Sequence, residues 1–531
     1  MKGRTLLLAA FFMLLPMMSG ARTTSSVPAS TCERWGVFEL EYSANVKGNP
    51  FDVSLVATFT NGDESITVRG FYDGNDTFRI RFMPPSEGRW SYVTSSSVPS
   101  LKGKKGSLTC TAPSEGNHGP VEADGLHFKY ADGTRYYPVG TTSYDWMHYP
   151  VEGFQERTLA SLEESGFNKI RCLFFLHNLQ VEYPDVYPFE KNSDGSWDYS
   201  HFNPEYFQYV EKYIKALGEI GVEADLILFH PYDGGRWGFD RMPLEVNLRY
   251  LKYITARFAS LRNIWWSLSN EFDAVKGIPA EDWDKFASCV SESDPYHHLL
   301  SIHGLTASYY NYFEPVFTHT SIQDHAPVLE QGRAFTIRNI YKKPVIFDEV
   351  CYEGNQTSRW GWLSGEEMLR RMYNGLMSGT YVTHAECFNT SDHEDATNFL
   401  AFGGEFHGES WKRIRFMREI LDDLPAPLGL ADSSWDPYTS TAGDGYYLIY
   451  FGDEIRQEWV FDLPTKNAAN AKLGAGVKFK VEIIDTWNMT VTEWPSTFET
   501  GAPGRYRVTD KDGGLVRLPA RPYMMLRIKK I

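Results

Sequence analysis

From residue 34 to 112 the apolar and polar positions alternate in short runs, VSLVATF, SITVRGFY and TFRIRFMP, separated by Asn61-Gly62 and Asp73-Gly74. A period of two broken by such turn pairs predicts an antiparallel β-sandwich of about 80 residues. The stretch TAPSEGNHGP, Thr111 to Pro120, has the composition of a linker. LHFKYADGTRYYPVG then predicts a hairpin at Asp132-Gly133 that runs into a buried strand.

From there the pattern changes. YYPVGTT, FNKIRCLFF, VEADLILFH, NIWWSLS, HLLSIH, FTHTSIQ, PVIFDE and TYVTHAECF are short apolar runs that read as strands of a buried parallel sheet. Helical stretches separate them. Asn203-Pro204 starts one whose Phe207, Val210, Ile214 and Leu217 line one face, and Gly166 closes another after SLEES. Eight such units between Arg135 and Leu424 predict an α/β domain of the (β/α)8, or TIM barrel, type at 121–424. Beyond DDLPAPLG the helical period stops. YYLIYFGD, QEWVFDLP, KFKVEIIDTW, YRVTDKDGG and YMMLRIKKI alternate again and predict a C-terminal β-sandwich over 425–531.

Length supports this division, because 531 residues exceed what one compact core holds. A net charge of -16 argues against nucleic acid as a partner, since binding a polyphosphate rests on Lys and Arg. Lys2 and Arg4 precede the apolar run Leu6 to Met18, and Ser19-Gly20-Ala21 offers small residues for cleavage. Residues 1–21 therefore read as a secretory signal peptide, too short to span a bilayer, and predict export to the periplasm or outside. No second run of that kind occurs, so no membrane span is expected. The sequence carries no signal of oligomeric state.

Six cysteines in a chain of this size make no disulfide framework. Cys32 and Cys110 could pair if the first and last strands of the first sandwich are neighbours. Cys172, Cys289, Cys351 and Cys387 lack CxxC spacing and read as buried thiols. No metal or cofactor is expected. His297-His298 has no ligand spacing, and Asp392 to Asp395 reads as an acidic loop without an EF-hand pattern.

The chemistry gathers on two carboxylates. Glu271 follows Asn270 in IWWSLSNEFD, and Glu349 stands five residues after Pro344 in KKPVIFDEVCYEG. Both close predicted strands, the fourth and the seventh, on opposite sides of the barrel mouth where this fold places its reactions. Glycoside cleavage needs two carboxyl groups, one protonated to release the leaving oxygen and one ionised.

Asn270-Glu271 on strand four and a Glu closing a Lys-Pro-apolar strand seven resemble the clan A retaining glycoside hydrolases, over strands one to eight. PVIFDEVCYEG also resembles the strand-seven signature of the apiosidase-like branch, though Asp348-Glu349-Val350 stands where that branch usually has Gly-Glu-Pro. The flanking sandwiches are similar to modules found beside members of that branch. This resemblance implies Glu271 as acid/base and Glu349 as nucleophile. It also implies Asn270 as holder of the sugar 2-hydroxyl and Arg171, in GFNKIR, as hydrogen-bond partner of the nucleophile.

Other polar and aromatic residues at strand ends are candidates for substrate contact. His230 ends strand three and His303 strand five. His384 and Glu386 share parity on strand eight and either face the mouth or form a satisfied core pair. Trp146 and Trp237, with Tyr232, Trp360, Trp362 and Phe388, follow strand ends where a sugar could stack, or else pack loops. Glu353 and Asp273 are loop acids, and Asp348 should point away from Glu349 by strand alternation. No phosphate loop or GxSxG elbow is present. The function predicted is an exported retaining hydrolase of poly- or oligosaccharides with a carbohydrate substrate as its partner. The alternatives are a non-catalytic carbohydrate-binding protein with a degenerate barrel, or an inverting use of the same acids.

Overall fold

A computed structural model describes residues 30–178, 186–389, 398–431, 439–466 and 471–531. The predicted leader and the acidic loop at Asp392 lie outside the described residues. Eight parallel strands carry the central domain: β1 Gly140–Thr142, β2 Lys169–Leu173, β3 Glu223–Phe229, β4 Ile264–Ser269, β5 Leu300–Ser301, β6 Thr320–Gln323, β7 Val345–Glu349 and β8 Tyr381–Val382. They form two arcs, β1 to β5 and β6 to β8. Single parallel bridges span both seams, His303 to Ser321 and Thr141 to His384. Every residue of β2, β3 and β4 is buried, so these strands show no solvent-facing polar side, and the charged Lys169, Arg171 and Asp225 find buried partners instead.

Helices α1 Phe154–Ser165, α2 Pro204–Glu219, α3 Leu244–Phe258, α4 Asp282–Ser293, α5 Gln331–Tyr341 and α6 Gly365–Met377 connect the strands. Asn203 caps α2 by accepting from the Glu205 N–H. The expected alternation fails once: between β5 and β6 the chain from Ile302 to His319 contains no helix. The short helix α7 Phe399–Phe402 and the longer α8 Ile414–Asp422 follow β8.

Before the barrel, a five-stranded and a three-stranded sheet form the sandwich. Its first described strand, Ser30–Glu33, pairs parallel, not antiparallel, with Lys105–Thr111. That pairing sets Cys32 directly opposite Cys110, and both thiols are free. Buried ion pairs lock this module to the barrel's outer helices. Arg81 makes two bonds to Glu211 of α2 at 2.8 and 2.9 Å, and Arg257 of α3 reaches Asp73 at 2.6 Å. Both guanidinium groups lie about the Phe71 ring, 5.0 and 4.9 Å from its centroid. The predicted hairpin forms between His127–Tyr130 and Arg135–Tyr136. At the other end a seven-stranded sheet turns one face, with Tyr446, Leu448, Tyr450 and Met525, into the barrel's own apolar core.

Candidate active site

Strand β7 does not keep strict alternation. Its ladder with β6 pairs Ile322 with Phe347 and Gln323 with Glu349, so Asp348 is an extra residue on that strand. Such a bulge turns two consecutive side chains to one face. Asp348 accordingly points inward, not away from Glu349 as alternation predicts. It meets Lys169 at 3.1 Å, Ser321 at 2.5 Å and Thr383 at 2.7 Å, residues of β2 and β6 and of the residue after β8. Lys169 also binds Asp225 of β3 at 2.7 Å. These groups make a charged floor inside the barrel, and Glu349 stands above it.

Glu349 is held from several strands. Tyr144, just after β1, donates its hydroxyl to Oε1 at 2.6 Å. Arg171 of β2 donates through Nη1 at 3.4 Å, and His303 places Nε2 at 3.8 Å. Burial would raise the Glu349 carboxyl, but His303, Arg171 and the Tyr144 and Tyr352 hydroxyls outweigh it and hold the group below its ordinary range. His303 itself is pushed down to about 4, by burial first and then by Arg171. At neutral pH the charge facing Glu349 is therefore that of Arg171, with His303 a neutral imidazole.

Glu271 leaves β4 in the left-handed region, at φ 46°. A non-glycine residue held there stores strain of about 1–3 kcal/mol, which the surrounding contacts must sustain. The Tyr232 hydroxyl and the Gln323 side chain lie beside its carboxyl and favour its ionised form. Burial and then the charge of Glu349 raise Glu271 to about 7. Two carboxyl groups in one site are thus shifted in opposite directions, Glu271 up and Glu349 down.

Asn270 joins the two halves. Its Oδ1 accepts from Arg171 Nη2, and its Nδ2 donates to Tyr232 Oη at 2.5 Å. Arg171 passes the chain of bonds to Glu349, while Tyr232 stands on the Glu271 side. Tyr144, Tyr232 and His177 form an aromatic wall beside these groups, with Tyr144 and Tyr232 centroids 5.6 Å apart and Tyr232 stacked on His177 at 4.8 Å.

Comparison with known proteins resolves the family. The apiosidase-like catalytic domain model matches residues 122–385. Two domains of unknown function, DUF5060 and DUF5605, match 31–97 and 435–529. A crystal structure from Bacteroides vulgatus ATCC 8482, which carries a provisional glycoside hydrolase name, is 52% identical. The match covers 94% of this chain and 100% of that one, with a TM-score of 0.91.

The chain belongs to the apiosidase-like glycoside hydrolases.

A family 5 glycoside hydrolase from the same organism has the same fold at 14% identity, with a TM-score of 0.56 over 78% of this chain and 93% of that one. No curated protein matches the sequence.

The remaining sequence candidates scatter within this glycoside hydrolase. His230 is buried and spends both ring nitrogens on backbone, near the Phe175 carbonyl at 3.1 Å and accepting from the Tyr232 N–H at 3.1 Å. It shapes the turn that carries Tyr232. Trp237 is packed against Phe239 and Tyr187, and its carbonyl accepts from Trp197. Trp146 is fully buried against Tyr213 and offers no face to a sugar.

His384 and Glu386 correct another expectation. Thr383 bonds Asp348 on the barrel floor and Ala385 packs with Tyr144 and Tyr352, so those two face inward. The alternate residues His384 and Glu386 then face the outer helices, away from the mouth. Glu353 is likewise buried against Glu409 and Ser410, and Asp273 accepts from the Leu305 N–H. Trp360 and Trp362 are about half exposed, and Trp360 meets Tyr352 edge-on at 5.9 Å.

Tyr144, Tyr352 and Gln323 belong to the site without having been singled out in the sequence. Gln323 is the last residue of β6, and the strand-end rule applied to every strand finds it. The two tyrosines sit in loops, where no periodicity points to them.

Proposed function

We propose that this glycoside hydrolase works by double displacement, with Glu349 as nucleophile and Glu271 as acid/base, on a poly- or oligosaccharide outside the cytoplasm. Glu349 would attack the anomeric carbon while Glu271 protonates the departing oxygen, giving a glycosyl-enzyme. Glu271, now ionised, would take a proton from water as that water attacks, which releases the sugar and restores both groups. The observation that carries this reading is the split between the two acids, Glu271 raised to about 7 beside a Glu349 held low. That is the starting state the first step requires. Arg171 and Tyr144 stabilise the ionised nucleophile, and Asn270 keeps an amide between the two acids where a sugar hydroxyl could bind.

A ring of eight strands with one bridge at each seam supports a closed (β/α)8 barrel for this site. Export rests on the residues before 22, and the half-exposed Trp360 and Trp362 suit a sugar chain leaving the pocket. The deciding experiment combines a polysaccharide and aryl-glycoside panel with proton NMR of the first product. Retention of anomeric configuration supports double displacement. Inversion would reassign the acids to a single displacement, which needs carboxyl groups about 6.5–9.5 Å apart. Binding without cleavage across the panel would favour a carbohydrate-binding role.

A further inference from the structure

Beyond β7 and β8 the two chains pair again, Glu353–Gly354 with Glu386–Cys387. On the outer side of this extension Glu353, His384 and Glu386 come together, with one potential ligand atom from each lying within 4.8 Å of the others. All three are buried, at 2%, 0% and 0% exposure. Among the described residues neither carboxylate has a Lys or Arg within ion-pair distance, and the nearest such contact is His407 Nδ1 at 3.9 Å from Glu386.

The hydrogen bonds leave a specific remainder. Four consecutive backbone N–H groups, of residues 407 to 410, donate to the two carboxylates. Ser410 Oγ adds a second bond to Glu353 Oε2 at 2.5 Å. A Cβ on Gly408 would fall 2.5 Å from the Glu353 carboxyl carbon, so only glycine lets the turn lie this close. Counting two lone pairs per oxygen, Glu353 Oε1 and both Glu386 oxygens each retain one. His384 Nδ1 lies 3.0 Å from Thr141 Oγ1, while Nε2 has no partner among the described residues. A buried imidazole nitrogen and three carboxylate lone pairs are therefore left over in one cluster, unpaired among the described residues.

We propose that Glu353, His384 and Glu386 bind one divalent transition-metal cation of the zinc class. Two carboxylates and one imidazole form a mixed O,O,N set that suits Zn²⁺ better than the all-oxygen cations. With Nδ1–H donated to Thr141, the Nε2 lone pair faces the ion, the usual support for a ligating histidine. The fourth position falls to His407 or to water. Such an ion would fasten the turn at 407–410 to β8 and to the segment that follows Glu349. Its role is structural, and it stands whether or not the catalytic assignments do.

The test uses the full chain stripped with EDTA and then titrated with ZnCl2, followed by calorimetry, metal analysis and thermal unfolding. One equivalent should bind and raise the unfolding midpoint by at least about 3 °C at saturating metal. H384Q and E386Q should each lose that shift. An unchanged midpoint with no bound zinc, or one equivalent still bound tightly by H384Q, overturns the proposal. Should the variants fail to fold, anomalous diffraction from zinc-soaked wild-type crystals decides. A peak between the three residues supports the site, and a peak elsewhere or none overturns it.

Discussion

Asp348 and Glu349 are adjacent in the chain, yet both side chains point into the barrel, one to Lys169 and the other to Tyr144. The bulge on β7 makes this possible, and it divides the labour. Asp348 anchors the floor, and Glu349 is left free to face the mouth with Arg171 and His303 beside it.

Replacing Asp348 by Asn should destabilise the protein by about 1–3 kcal/mol in denaturant at pH 7, because Lys169 loses one of its two buried partners and keeps Asp225. Burial raises the Asp348 carboxyl, but Lys169 and Arg171 outweigh it and depress the group well below its ordinary range. A depressed carboxyl stabilises the fold fully above its unfolded value, near pH 4, and that contribution is lost as pH falls toward the folded value. The wild type should therefore lose more stability than D348N between pH 5 and pH 2.

Glu349→Gln should lower turnover of a cleaved glycoside by more than about 10³-fold while the unfolding midpoint stays near wild type. Activity within tenfold of wild type would remove Glu349 from the chemistry.

The pH dependence follows from the two acids. Glu271 must be protonated to act, so kcat/KM should fall as pH rises through about 7. Glu271→Gln should erase that limb and cost about 10²–10⁴-fold on substrates with poor leaving groups. The loss should be smaller on activated aryl glycosides, which depart without protonation.

Tyr144→Phe deletes a hydrogen bond to an ionised carboxylate, worth about 1.5–3 kcal/mol. Its loss should raise the Glu349 carboxyl and move the acid limb of kcat/KM to higher pH, with activity at pH 7 down by about 10- to 100-fold. A profile that keeps its acid limb in place would show that the Tyr144 bond is not what sets the ionisation.

All eight barrel strands were legible because short, largely apolar runs recur between helical stretches, and Asn270-Glu271 and Glu349 were found by their place at strand ends. Other features were not legible. The bulge at Asp348 leaves the sequence of β7 looking like an ordinary strand, so alternation gave the wrong side. For His384 and Glu386 the shared parity was readable but not the face, because TYVTHAECF is polar or small on both sides and only Thr383 bonding Asp348 shows which is inner. Trp146 follows a strand end as a stacking residue would, but loop closure over it by Gly403 buries it completely. A linear pattern gives which residues share a side. It does not give which side the fold turns inward, or what a loop later covers.

The Arg81–Glu211 and Arg257–Asp73 pairs bear on how this chain can be cut and recombined. A fragment starting at the linker would strip one partner from each of Glu211 and Arg257 and uncover Tyr253, whose hydroxyl bonds the Tyr72 carbonyl. Because the C-terminal sheet also fills the barrel's own core, the smallest piece that can be moved to another gene intact is thus the leading sandwich, the barrel and that sheet together. The leading sandwich then behaves as part of the enzyme's frame, not as a tethered accessory, and it travels with the catalytic unit through any shuffling of domains.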